Sequence, residues 1–144
     1  MTEMTRAAAG APGVVFLCVH NAGRSQMATG RARALGGTRL RVYSVGSEPA
    51  AAVNPRAVEA MREAGIDITS AVTQAWTDEV LRGADVVVTM GCGDSCPVVP
   101  SVRYLDWELE DPAGQPLEVV RRVRDDTEGR VRGLPRELGG EGRS

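Results

Sequence analysis

The chain has 144 residues, 42% of them hydrophobic and 25% charged, which suits one domain with a single real core and the balance of an ordinary globular protein. A formal charge of −2 supplies no global basic field for nucleic acid, and no apolar run approaches the roughly 20 residues that span a bilayer, so neither nucleic acid nor membrane is an expected partner. With no apolar signal stretch in the first dozen residues the expected location is cytoplasmic, where three cysteines are more often catalytic, redox-active or metal-binding than a structural framework.

Residues 1–13 are small and polar and close on Ala11-Pro12-Gly13, the composition of a flexible tail. Val14 to Cys18 is almost wholly apolar, the mark of a strand buried on both faces. A helix is predicted over Ser25–Leu35, stopped by Gly36-Gly37, then a strand over Leu40–Val45. Asn54-Pro55 supplies an N-cap and a first-turn proline for a helix whose face is marked by Val58, Met61 and Ala64. A short helix from Thr77-Asp78-Glu79 toward Gly83 follows, then strands over Asp85–Met90 and Ser101–Trp107, and an amphipathic helix from Leu117 to about Val131. Strands alternating with helices predict an α/β fold: one domain over 14–134, with a four-stranded parallel sheet flanked by helices on both faces and a flexible tail over 135–144. Ligands of such sheets sit beyond the carboxyl ends of the strands, where Cys18 and Cys92 both fall.

Five residues separate Cys18 from Arg24: Val19, His20, Asn21, Ala22 and Gly23. That is enough chain to curl around a tetrahedral oxyanion with its N–H groups turned inward and the first turn of a helix beneath. The helix dipole and the guanidinium both favour a thiolate, so Cys18 is read as a nucleophile at neutral pH within an anion cradle. A second cluster is Gly91-Cys92-Gly93-Asp94-Ser95-Cys96, where two cysteines separated by three residues can meet in a disulfide if the segment makes one turn. It reads as a movable redox pair; a metal site would need further ligands, and none is expected. Asp106, Glu108, Glu110 and Asp111 form an acidic run, of which Pro112 singles out Asp111. His20, the only histidine, reads as a loop-structuring side chain, Trp76 and Trp107 as packing residues, and Arg121, Arg122 and Arg124 as a solvated helix face.

Cys18-Val-His-Asn-Ala-Gly-Arg-Ser followed by Gln-Met-Ala, together with Asp111-Pro112-Ala113-Gly114, resembles the low-molecular-weight protein tyrosine phosphatase superfamily, especially its arsenate reductase branch. The resemblance spans roughly residues 14 to 132. It implies that Cys18 attacks the oxyanion, that Arg24 holds its oxygens with the loop 19–24, that Ser25 stabilises the thiolate, that Asn21 braces the loop and that Asp111 is the general acid. His20 stands where many members have glycine, and Gly23 where many have a second cysteine. Thr29 replaces a glutamate that helps bind potassium in the staphylococcal type, so no potassium site is carried over.

The function implied is reduction of arsenate to arsenite, with phosphate or sulfate as substrate mimics and no cofactor. By resemblance Cys92 would attack the Cys18 adduct, Cys96 would then attack Cys92, and the resulting disulfide would be reduced by thioredoxin or a low-molecular-weight thiol. Alternatives are an arsenate–mycothiol transferase using Cys18 alone, a tyrosine phosphatase, and a non-enzymatic arsenite-binding protein. Ala113 and Gly114 follow the Asp-Pro where the phosphatases carry tyrosines, and a less aromatic mouth suits a small inorganic oxyanion better.

Overall fold

The computed structural model describes residues 11–91 and 96–137. Its order is β1 (Gly13–Cys18), α1 (Arg24–Gly36), a single 3-10 turn (Gly37–Arg39), β2 (Arg41–Gly46), α2 (Pro55–Glu63), α3 (Asp78–Arg82), β3 (Val86–Thr89), β4 (Arg103–Asp106) and α4 (Leu117–Glu137). The strands form one sheet in the order β2-β1-β3-β4, and every pairing is parallel. The α/β architecture expected from the alternation is therefore the one observed.

Alternation along β1 explains why it is central. Val14, Phe16 and Cys18 face a core shared with Ala28 and Ala32 of α1 and Val131 and Leu134 of α4. Val15 and Leu17 face the opposite core, with Leu81 of α3, Tyr43, Val87 and Val99. A strand with apolar side chains on both faces is stable only between two layers, and β1 is buried at every residue. Trp107 caps the first core against Phe16, ring centroids 5.8 Å apart, and Trp76 packs partly buried against the second, so both tryptophans are packing residues.

Two elements depart from the sequence reading. The buried face of α2 is Ala57, Ala60 and Met61, with Val58 half-buried and Ala64 exposed, because α2 packs on α1 and α4 rather than on the sheet. Helix α4 continues past the expected end near Val131 to Glu137: its buried stripe of Val120, Val123, Thr127, Val131 and Leu134 keeps helical spacing through Gly129 and Gly133. The arginines of α4 are also not simply solvated. Arg121 makes a two-pronged pair with Glu63 at 2.9 and 2.7 Å, and Arg124 reaches Ala60 O at 2.7 Å and Glu63 at 3.0 Å, clamping α4 to the end of α2.

Candidate active site

The loop between β1 and α1 owes its shape to where its carbonyls go. Cys18 O accepts from Ser47 N, Val19 O from Glu48 N, His20 O from Ala50 N and Ala22 O from Asn54 N, at 2.7 to 3.1 Å. Asn21 O accepts from Gln26 Nε2 at 3.0 Å and Gly23 O from Met27 N at 2.9 Å. In a trans peptide C=O and N–H point opposite ways, so carbonyls turned outward onto the 47–54 segment leave the amides facing the concavity. Close approach at the end of β2 is needed for this: a Cβ on Gly46 would lie 2.8 Å from both Asn21 Cβ and Val19 O.

Helix α1 adds to the same positive field. Asn54 and Thr77 cap α2 and α3 with side-chain oxygens, but Gly23 gives α1 no side-chain cap and its first turn holds no acidic residue. Its leading N–H groups are thus available to an anion. The first two turns, Arg24 to Thr29, are nonetheless buried although mostly polar, because these side chains build the site.

Cys18 is a free thiol at 2% exposure, in the floor of a cavity of about 240 Å³ lined by His20, Ala22, Gly23, Arg24, Ala50, Asn54 and the 111–114 segment. Its sulfur lies 2.9 Å from Ser25 Oγ and receives the Asn21 backbone N–H at 3.3 Å. Asn21 Nδ2 donates to Ser25 Oγ at 2.8 Å, which leaves the single hydroxyl hydrogen of Ser25 for the sulfur. Two donors aimed at one sulfur are what an anionic nucleophile requires. Asn21 achieves this at φ 53°, a left-handed conformation that asparagine tolerates better than most residues.

Arg24 enters the cavity nearly buried, its Nη1 donating to Leu109 O at 3.3 Å and its Nη2 lying 3.7 Å from Asp111 Oδ2. Its guanidinium lies against Gly91, at φ 79°, where any Cβ would collide with Nη1. Asp111 is over half exposed on the rim, its Oδ1 accepting from Ala113 N at 3.0 Å. Pro112 is buried over the loop, and a Cβ on Gly23 would come within 2.9 Å of its Cγ. The arrangement can hold a tetrahedral oxyanion, attack it through sulfur and protonate a departing oxygen.

Of the residues singled out from the sequence, Cys18, His20, Ala22, Gly23, Arg24 and Asp111 line the cavity. Val19 and Asn21 do not: Val19 packs on the second core, and Asn21 braces from behind. Exposed His20 lies 3.2 Å from Glu48 O through Nδ1, in keeping with a loop-structuring part. The rest of the acidic run turns elsewhere: Asp106 accepts from Thr89 Oγ1, Glu108 gives its carbonyl to Arg130, and Glu110 pairs with Arg122. Cys96 is buried and disulfide-bonded, whereas Cys92 lies outside the described residues. Thr29 Oγ1 donates to Ser25 O within its own helix, and no group of three or more metal-ligating side chains gathers among the described residues. No helix there is long and apolar enough to cross a membrane. The sequence reading gives Gly46 and Gly91 no part in seating the loop or Arg24, and it quotes Gln26 only within the run after Ser25, without a role.

The chain is similar to known proteins in both sequence and fold. The model of the low molecular weight phosphotyrosine protein phosphatase family matches residues 13–144. Arsenate reductase 2 of Staphylococcus epidermidis is 43% identical over 117 residues, 78% of this chain and 88% of that protein. The solved structure of a thioredoxin-dependent arsenate reductase from Corynebacterium glutamicum superposes with a TM-score of 0.78 at 40% identity; it covers 92% of this chain, which spans 64% of that one. A structure described as an arsenate reductase in the phosphate binding state gives 0.78 at 36% identity, covering 89% of this chain and 99% of its own. The chain belongs to the low molecular weight phosphotyrosine protein phosphatase family, on its arsenate reductase branch.

Proposed function

We propose that this protein reduces arsenate to arsenite through a thiol relay begun by Cys18. Arsenate sits among the inward N–H groups and the Arg24 fork. The Cys18 thiolate attacks arsenic in line, and one oxygen leaves as water with a proton from Asp111, giving a Cys18–S–As(V) adduct. Cys92 thiolate then attacks the Cys18 sulfur; the S–As electron pair stays on arsenic, arsenite departs, and a Cys18–Cys92 disulfide forms. Attack by Cys96 on Cys92 frees Cys18, and thioredoxin, or another dithiol, reduces the remaining disulfide.

The disulfide at Cys96 is the observation that carries reduction over hydrolysis, since water attack on a Cys18 adduct has no use for a second oxidisable sulfur. Thioredoxin dependence in the Corynebacterium glutamicum relative supports the choice of reductant. The test compares thioredoxin-dependent arsenate turnover with aryl phosphate hydrolysis in one preparation. Cys96→Ser should release one arsenite per chain and stop as a Cys18–Cys92 disulfide, seen by mass spectrometry. Full turnover of Cys96→Ser with mycothiol or glutathione would replace the relay with transfer from Cys18 to a small thiol.

A further inference from the structure

We propose that Gln26 is a positioning residue for Cys18, one that sets the direction of the hydrogen bonds ending on its sulfur; the inference rests on reading Cys18 as the nucleophile. Gln26 does not line the cavity and is 3% exposed. Its Nε2 lies 3.0 Å from Asn21 O, 3.2 Å from Asn21 Oδ1 and 3.0 Å from Val72 O. All three neighbours are acceptors, so the nitrogen must face them; the opposite amide orientation would set an oxygen among oxygens.

That fixes the next residue. Asn21 Oδ1 receives Gln26 Nε2 and also Gln74 N at 2.9 Å, so its oxygen is committed and its Nδ2 must turn to Ser25 Oγ. Because Ser25 already accepts there, its one hydrogen goes to Cys18 Sγ. Polarity therefore runs one way, from the amides of Gln26 and Gln74 through Asn21 and Ser25 into the sulfur, and each donation strengthens the next. The charged and titratable groups that share the cavity with Cys18, namely His20, Arg24 and Asp111, make none of these bonds.

Two substitutions separate direction from bulk. Gln26→Leu removes the donor, whereas Gln26→Glu is isosteric but presents acceptor oxygens to Asn21. The carboxylate then opposes Asn21 Oδ1 and favours the reversed amide against the hold of Gln74 N, so that Ser25 is drawn to donate to Asn21 instead of to sulfur. The readout is the rate of Cys18 alkylation by iodoacetamide against pH, measured by mass spectrometry of the Cys18 peptide from folded protein. Gln26→Leu should move the profile toward alkali by about one pH unit, which is roughly tenfold slower labelling on its acid limb. Gln26→Glu should move it further. In a Ser25→Ala background Gln26→Leu should add nothing, since the link to sulfur is already cut. Should Gln26→Leu fail to fold, the isosteric Gln26→Glu carries the test. A wild-type profile in either folded variant, or the full shift surviving in Ser25→Ala, would overturn the inference. Neither result depends on arsenate, and turnover by Cys18→Ser judges the functional reading separately.

Discussion

Asn21 carries two burdens that substitution can pull apart. It holds a left-handed backbone at φ 53°, and its side chain serves Ser25 Oγ, Gln74 N and Gln26 Nε2. Alanine at such a φ costs about 1–2 kcal/mol. Loss of the side chain also strands the part-buried Gln74 N–H, at about 1–3 kcal/mol, and removes the donor to Ser25, at about 1 kcal/mol. Asn21→Ala should therefore destabilise the fold by about 3–6 kcal/mol. Asn21→Gly loses the same hydrogen bonds but tolerates the backbone, and should recover about 1 kcal/mol of that. Urea unfolding followed by circular dichroism measures both, with an unchanged m-value as the condition for comparison. Activity should be lost in both variants alike, since the donor to Ser25 is absent from each. Equal stability of the alanine and glycine variants would refute the backbone part of the reasoning. Wild-type stability in both would refute the whole.

Further expectations follow from the same geometry. Arg24→Lys keeps the charge but loses the planar fork, so kcat/KM for arsenate should fall by about a hundredfold or more; near-wild-type turnover would place the anion elsewhere. Asp111→Asn should slow the first turnover by about a hundredfold while phosphate affinity, set by the loop amides and Arg24, hardly moves; this is read by single-turnover kinetics beside phosphate inhibition. Gly91→Ala should raise KM for the oxyanion by displacing Arg24 as well as straining the φ 79° backbone, and an unchanged KM would show that the guanidinium does not depend on that clearance. The hydrogen bond from Arg121 holds the Glu63 carboxyl below its ordinary value of 4.5, against the opposing effect of burial and with help from Arg124. A depressed carboxylate stabilises the fold above its unfolded value and loses that contribution as pH falls through the folded one. The Tm gap between wild type and Glu63→Gln should accordingly be present at neutral pH and close in acid; a pH-independent gap would count against the clamp.

What could be read from the sequence was local chemistry repeated along the chain. Asn54-Pro55 and Thr77 are caps whose geometry depends on neighbours two or three residues away, and both helices begin where those residues say. The apolar run of β1 announces a strand covered on both faces, and Cys18 with Arg24 announces a loop between strand and helix. What stayed hidden depends on residues distant in sequence. That Gly46 clears Asn21, that Gly91 clears Arg24, and that the 47–54 segment draws the loop's carbonyls outward are facts of tertiary packing. The α2 face was misjudged for the same reason, because Ala57 and Ala60 are buried by α4 and not by their own hydropathy. The acidic run shows the same limit: Asp106, Glu108, Glu110 and Asp111 are alike in sequence, and only the course of the loop over Gly23 brings the last to the cavity.

Helix α2 rests on other helices and not on the sheet, yet the segment that leads into it supplies the amide of Asn54 that holds Ala22 O in the anion loop. A helix that packs on other helices thus follows directly on a residue of the cradle's outer support. Opening of α2 alone, with α1, α4 and the sheet intact, would release one anchor of the loop, so a local opening that costs less than global unfolding would reach the site. Inactivation in mild denaturant should then precede loss of β-sheet signal, and oxyanion binding, which needs the loop closed, should suppress amide exchange in α2 although no residue of α2 lines the cavity.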